Sequence, residues 1–238
     1  MIFTANFKPG LDDAGLGGEI KNTSILRMLE DTAGFHSDSV HDGINEIDVK
    51  KTAWIIMAWR LHVIHRPQYG QELTVETWSR PMERAHAFRD FRLKSRSGEI
   101  LAIASSKWSL INTETRRLVR LTEEFNKIYS VEDTSVFENW SPKRVVPPEI
   151  YLNSVDYRVM RRDTDIIGHM HNLNYLSLAY EVLPDDVYFS GELPNVEISY
   201  RNEIRLGDNI KICGFSDNSV FSAALNGEKG LCACVRMW

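Results

Sequence analysis

HRPQYGQELTVETW, residues 65–78, and YRNEIRLGDNIKICGF, residues 200–215, are the two stretches that decide the fold. Both run strand, charged bend, a glycine beside Gln or Asp, then strand. A layout repeated at that distance marks two like units rather than one large domain, and the 238-residue length accommodates two modest cores. The fold class this implies is α+β. Each unit is expected to be a long helix wrapped by an antiparallel sheet, the two packing as a pseudo-dimer, because a helix with one apolar stripe is buried most simply against one sheet face.

Working outward from 65–78, Trp54 to about Ile64 is aromatic and β-branched and reads as a strand. Strands are expected again at 73–79, 86–95 and 100–112, separated by the turn-forming SRPME and RSGE. Upstream, Leu26, Leu29 and Ala33 fall at three- and four-residue steps, which predicts a helix over 23–35 with Thr23 as its cap. The first unit is therefore assigned to 1–125. Residues 126–150 are polar, carry Pro142, Pro147 and Pro148, and read as a linker.

Around 200–215 the plan repeats over 151–238. A strand is expected at 154–161, a helix at 171–182 with Leu173, Leu176, Tyr180 and Leu183 on one stripe, and strands at 196–205, 209–215, 219–225 and 230–237.

The composition narrows the function. A net charge of −5 disfavours a general nucleic-acid binder, which needs a dense Lys/Arg surface. Two local basic clusters, Arg116/Arg117/Arg120 and Arg158/Arg161/Arg162, read as solvated surface. The longest apolar run, Ala53 to Trp59, is far below the ~20 residues of a membrane span, and MIFTANFKPG lacks a signal pattern. The expectation is a cytoplasmic protein with no membrane or nucleic-acid partner, a monomer or homodimer. Cys213, Cys232 and Cys234 have no disulfide or metal spacing and read as reduced core residues.

Chemistry concentrates in DTDIIGHMHNLNY, residues 163–175, where two carboxylates, two histidines and two asparagines precede a helix. Helix N-termini carry unpaired N–H groups that polarise a carbonyl, and Gly168 would let a substrate approach that backbone. A lone Asp163 or Asp165 could equally be a cap or turn residue.

This stretch resembles the acyl-ACP (acyl carrier protein) thioesterases of bacterial type, whose second hotdog domain reads approximately D-x-N-x-H-[VM]-N-N-x-x-Y before its helix. Here it reads Asp165, Ile166, Ile167, Gly168, His169, Met170, His171, Asn172, then Tyr175. WRLHVIHRPQYGQELTVETW and EISYRNEIRLGD extend the likeness over most of the chain. The resemblance implies two tandem hotdog domains and hydrolysis of fatty acyl-ACP in fatty acid biosynthesis. It implies Asp165, His169 and Glu203 as catalytic residues, with Gly168, Met170, His171 and Asn172 binding substrate. No cofactor or metal is called for.

The first unit, without such a cluster, is expected to be catalytically silent and to supply an acyl pocket among Met28, Trp54, Met57 and Trp59. The sequence departs from the family where its asparagine is Ile167, a side chain that can neither donate nor accept. Two other readings follow: an acyl-CoA thioesterase, or an acyl-thioester binding protein with a degenerate site.

Overall fold

Alternation of apolar and polar residues in Leu73–Ser79 buries Leu73, Val75 and Thr77 on one face, and the strand spans those seven residues in the computed structural model. The structure describes residues 1–82, 84–138, 145–146, 150–191 and 193–238. It divides into two units, Met1–Ser141 and Pro142–Trp238. The linker prolines at 142, 147 and 148 lie outside the described residues.

The first unit comprises β1 (Phe3–Phe7), α1 (Asn22–Ser39), α2 (Ile47–Lys50), β2 (Thr52–Val63), β3 (Leu73–Ser79), β4 (Ala87–Ser95), β5 (Ile100–Asn112) and α3 (Glu123–Ile128). Its strands are ordered β1-β3-β4-β5-β2, all antiparallel. The second comprises β6 (Tyr151–Arg158), α4 (Asn174–Tyr180), α5 (Asp185–Phe189), β7 (Asn195–Tyr200), β8 (Asn209–Asp217), β9 (Val220–Gly227) and β10 (Gly230–Met237). Its order is β6-β8-β9-β10-β7, again antiparallel. Replacing β1 to β5 by β6 to β10 converts one order into the other. The repeat inferred from two bends is thus a repeat of topology.

Several sequence expectations need correction. α1 begins after Lys21 with no side-chain cap, so Thr23 lies inside it. It runs on to Ser39 because His36 continues the buried stripe of Leu29 and Ala33. It packs on β1 and β3. The second helix is not long. α4 has seven residues and α5 starts anew after Pro184, whose ring cannot continue a helix. α4 lies against β8, β9 and β10. β1 was not anticipated, and β7 stops at Tyr200, where the chain leaves the sheet.

Residues 126–138 are not a linker. Tyr129 is 1% exposed, and its hydroxyl donates to Asp42 Oδ2 (2.9 Å) and lies within hydrogen-bond distance of Ser37 Oγ (3.1 Å). Beyond it a strap crosses the sheet. Glu132 N–H donates to Ser79 O (2.9 Å), Trp78 Nε1–H to Thr134 O (2.8 Å), and Val136 N–H to Asp90 Oδ2 (3.0 Å). The Arg60 guanidinium lies 4.3 Å from the centre of the Phe137 ring. Asp90 is fully buried, and its other oxygen accepts the Ser105 hydroxyl. Burial pushes its carboxyl above the ordinary range, against those hydrogen bonds and the Arg80 charge. Asp90→Ala would strand the Ser105 hydroxyl and the Val136 N–H. We expect it to destabilise the first unit by about 2–4 kcal/mol, read as a lower urea midpoint at constant m-value, with Asp90→Asn affected less.

Beneath α1 lies a second buried polar group. Arg89 of β4, 6% exposed, donates from Nη1 to His36 Nδ1 (2.9 Å) and lies over the Tyr129 ring. A guanidinium cannot accept, so His36 must present a bare Nδ1 and carry its proton on Nε2, which has no hydrogen-bond partner among the described residues. Its ring is stacked on Phe3 at 5.2 Å and meets the edge of Tyr129 at 5.5 Å. Burial, then the Arg89 charge, hold the imidazole down to about 3. Of the expected acyl-pocket residues, Met28 and Trp59 are core side chains, and Trp54 donates from Nε1 to Asp42 Oδ2 (2.9 Å).

Candidate functional site

Between β6 and α4 the chain makes a tight loop whose shape is fixed by main-chain bonds. Asp163, buried, accepts from Met160 N–H (2.7 Å) and the Tyr157 hydroxyl (2.8 Å) through Oδ2. Its carbonyl accepts from His171 N–H (2.8 Å) and Asn174 Nδ2 (2.8 Å). Asp163 is therefore a turn residue, and Asp165 is another. Asp165 N–H donates to His169 O (2.8 Å), Gly168 N–H to Asp165 O (3.1 Å), and Asp165 Oδ1 accepts from the Ile167 and His169 amides, both at 3.0 Å.

Gly168 has φ +80°, and a Cβ there would meet nothing within 4 Å. Glycine is favoured there by the left-handed backbone. The amides of the loop itself are taken up by the protein. The N–H groups of 167 to 171 are all committed within the protein, and α4 begins three residues later. Met170 is 3% exposed and its amide donates to Ile204 O (2.8 Å), so its side chain belongs to the core. His171 Nδ1 accepts from Leu173 N–H (3.3 Å), and Asn172 accepts the Tyr200 hydroxyl on its carbonyl (3.0 Å) and Oδ1 (3.4 Å). Both stabilise the approach to α4. Ile167 is 54% exposed and contributes a main-chain amide to the loop.

The loop meets the bend after β7 through a bridge between His169 and Arg205. That bridge brings together what the sequence separates by some thirty residues. His169 Nε2 lies 3.1 Å from Glu203 Oε2, and Arg205 Nη2 lies 2.5 Å from Glu203 Oε1. The histidine side chain is 20% exposed and the glutamate 35%, so the pair is reachable from solvent yet partly shielded. Tyr175 is buried against this group. Its phenol is pushed well above the ordinary range by burial, then by Cys232, with the charges of Glu203 and Asp165 adding to the effect. Both carboxylates therefore lie within electrostatic reach of one hydroxyl, which stays protonated. Cys232 and Cys234 are buried free thiols and Cys213 is half-buried.

The equivalent loop of the first unit, 10–22, has the same backbone without the chemistry. Gly15 N–H donates to Glu19 O (2.7 Å), Gly18 N–H to Gly15 O (3.2 Å), and Lys21 N–H to Asp13 O (2.9 Å), while Gly18 has φ +82°. Glu19 bridges Gln68 as His169 bridges Arg205. By these correspondences Gly15 stands where Asp165 stands, Glu19 for His169, and Arg66 for Glu203. Arg66 binds Ile20 O (2.8 Å) and Asn22 Oδ1 (3.0 Å) instead of a histidine.

Residues 1–129 match the acyl-ACP thioesterase N-terminal domain and residues 151–228 the acyl-ACP thioesterase C-terminal domain. Oleoyl-acyl carrier protein thioesterase 2, chloroplastic, of Arabidopsis thaliana is 28% identical over 213 residues, 82% of this chain and 58% of the relative. The chloroplastic palmitoyl-acyl carrier protein thioesterase of Cuphea hookeriana is 26% identical over 215 residues, 85% of this chain and 52% of the relative. The chain thus spans 52 to 58% of the length of these two curated relatives. Among solved structures, an acyl-ACP thioesterase from Bacteroides thetaiotaomicron superposes with TM-score 0.86 at 20% identity, covering 99% of this chain and 96% of the other. A 12:0-ACP thioesterase from Umbellularia californica gives TM-score 0.86 at 19% identity, covering 99% and 96%. These likenesses establish the fold as two hotdog units in tandem.

Proposed function

Because the chain belongs to the acyl-ACP thioesterase family, we propose that it hydrolyses fatty acyl-ACP to free fatty acid and holo-ACP, in the cytoplasm, with Asp165, His169 and Glu203 at the site. The observation that carries this reading is the His169–Glu203 pair at 3.1 Å, on a loop that also presents Asp165.

The pair suits water activation. A Glu203 carboxylate accepts the Nε2 proton, which leaves Nδ1 of a neutral His169 as the basic nitrogen. Water attacks the thioester carbonyl while Nδ1 takes its proton. The tetrahedral intermediate then expels the thiolate, which recovers that proton from the imidazolium. The products are a carboxylic acid and the carrier's thiol. Asp165 Oδ1 is occupied by two amides, so Asp165 acts through its second oxygen, orienting the water or the imidazole. Gly168 and the loop amides shape the site rather than stabilise the oxyanion.

The test is thiol release from butyryl to stearoyl thioesters of ACP and of coenzyme A. Wild type is expected to turn over acyl-ACP in preference to acyl-CoA, and Asp165→Ala to abolish measurable release. Preference for the coenzyme A thioester would sink the carrier assignment. No turnover by wild type, with turnover gained in Ile167→Asn, would make the protein a binder with a decayed site.

A further inference from the structure

Arg205 forms an isolated antiparallel bridge with His169, and side chains two apart on a segment bridged in that way share a face. Glu203 and Arg205 are therefore neighbours by backbone geometry. The same bridge sets the His169 side chain on that face, because residues paired across a ladder point to one side. Arg205 is itself anchored: its N–H donates to Asp208 Oδ2 (2.9 Å), its carbonyl accepts from Asp208 N–H (3.1 Å), and Gly207, at φ +85°, donates to Val159 O (3.0 Å). From this fixed backbone the guanidinium reaches Glu203 Oε1 at 2.5 Å, while Oε2 lies 3.1 Å from His169 Nε2.

A glutamate side chain has three free torsions, and an exposed carboxylate rotates readily between equivalent poses. A cation gripping one oxygen removes that freedom and aims the other. The first unit supplies a comparison. Its bend has the same hydrogen bonds, Gln68 N–H to Gln71 Oε1 (3.1 Å) and Gln71 N–H to Gln68 O (3.2 Å). Yet the position of Arg205 is held by neutral Gln68, in the unit where the carboxylate position is Arg66. The bend folds without a cation there, so Arg205 is not needed for its shape.

We infer that Arg205 is a positioning residue for hydrolysis, holding Glu203 in the one orientation that presents Oε2 to His169. It acts through Glu203 and touches neither substrate nor water. The inference rests on the hydrolase reading above.

The experiment is a kinetic cycle of wild type, Arg205→Ala, Glu203→Gln and the double variant on acyl-ACP, with Arg205→Lys alongside and thermal midpoints measured for all five. Arg205→Ala is expected to lower kcat about 10-fold or more with KM within about twofold, a loss near 1.4 kcal/mol per tenfold. In the Glu203→Gln background it should add nothing, since two residues acting as one unit are not additive. Arg205→Lys should recover part of kcat. Millimolar guanidinium chloride should recover part of Arg205→Ala but none of the double variant, with sodium chloride as control. A raised KM at unchanged kcat would make Arg205 a carrier contact and overturn the inference. Equal losses in both backgrounds would also overturn it, as a general structural effect. Failure of the hydrolase reading is separate: wild type, or Glu203→Gln alone, would then fail to behave as that reading requires before Arg205 is touched.

Discussion

Glu203→Gln is expected to reduce kcat for acyl-ACP hydrolysis by roughly 10²- to 10⁴-fold, the range a positioned general base contributes. The amide is nearly isosteric, so packing is spared, but it bears no charge to stabilise the imidazolium that forms on His169. It can also turn its NH₂ toward Nε2. That would favour the other tautomer, with hydrogen on Nδ1, and leave the nitrogen meant for water unable to accept a proton. His169→Ala should fall into the same range, and the two together should cost little more than either alone. Single-turnover thiol release separates the chemical step from carrier dissociation. A Glu203→Gln rate within about threefold of wild type would remove the pair from the mechanism.

Acid should weaken the first unit through His36. Its folded-state value is about 3, against 6.5 for the free side chain. Between those two values the unfolded chain binds a proton that the folded chain refuses. Stability is therefore complete above about 6.5 and is lost as pH falls toward about 3, at a limiting slope of about 1.4 kcal/mol per pH unit. Lowering pH from about 6.5 to about 4.5 should cost on the order of 2–3 kcal/mol. His36→Gln keeps an oxygen that can accept the Arg89 proton and does not titrate, so its stability profile should lack this slope. Asp90 runs the other way: its raised carboxyl favours the folded state as pH falls, and that contribution fades as pH rises through its folded value. The difference between wild type and His36→Gln isolates the histidine. Parallel pH profiles from urea unfolding would show that His36 is not the acid-sensitive group.

What the sequence discloses follows from where the information resides. β3 and β5 are legible to the residue because turn-forming stretches bound them, β3 by a period-two pattern and β5 by a long β-prone run. β1 is a five-residue strand too short to display a period. The strap over 132–137 is held by one buried aspartate and a few aromatic residues, none in a repeating pattern, so its composition resembles a linker. α4 is shorter than its sequence pattern because Leu173 to Leu183 keeps its apolar spacing beyond Tyr180, where the helix ends ahead of Pro184. Arg89 and Asp90, polar and adjacent within FRDFR, are both buried, against any expectation drawn from side-chain class. At the candidate site, Asp165 and His169 stand in the family motif, but the meeting of His169 with Glu203 is a tertiary fact. The bridge from His169 to Arg205 creates it. Arg205 is signalled only by its two-residue spacing from Glu203, which acquires meaning once the segment is known to bridge His169.

The twin loops at 10–22 and 160–172 keep one main-chain pattern under different side chains. The loop's main-chain fold therefore does not depend on one set of side chains, and its chemistry can differ while its backbone stays the same. Ile167, tied to the loop through its amide, occupies such a permissive position: the loop closes there on a main-chain bond that any side chain would allow.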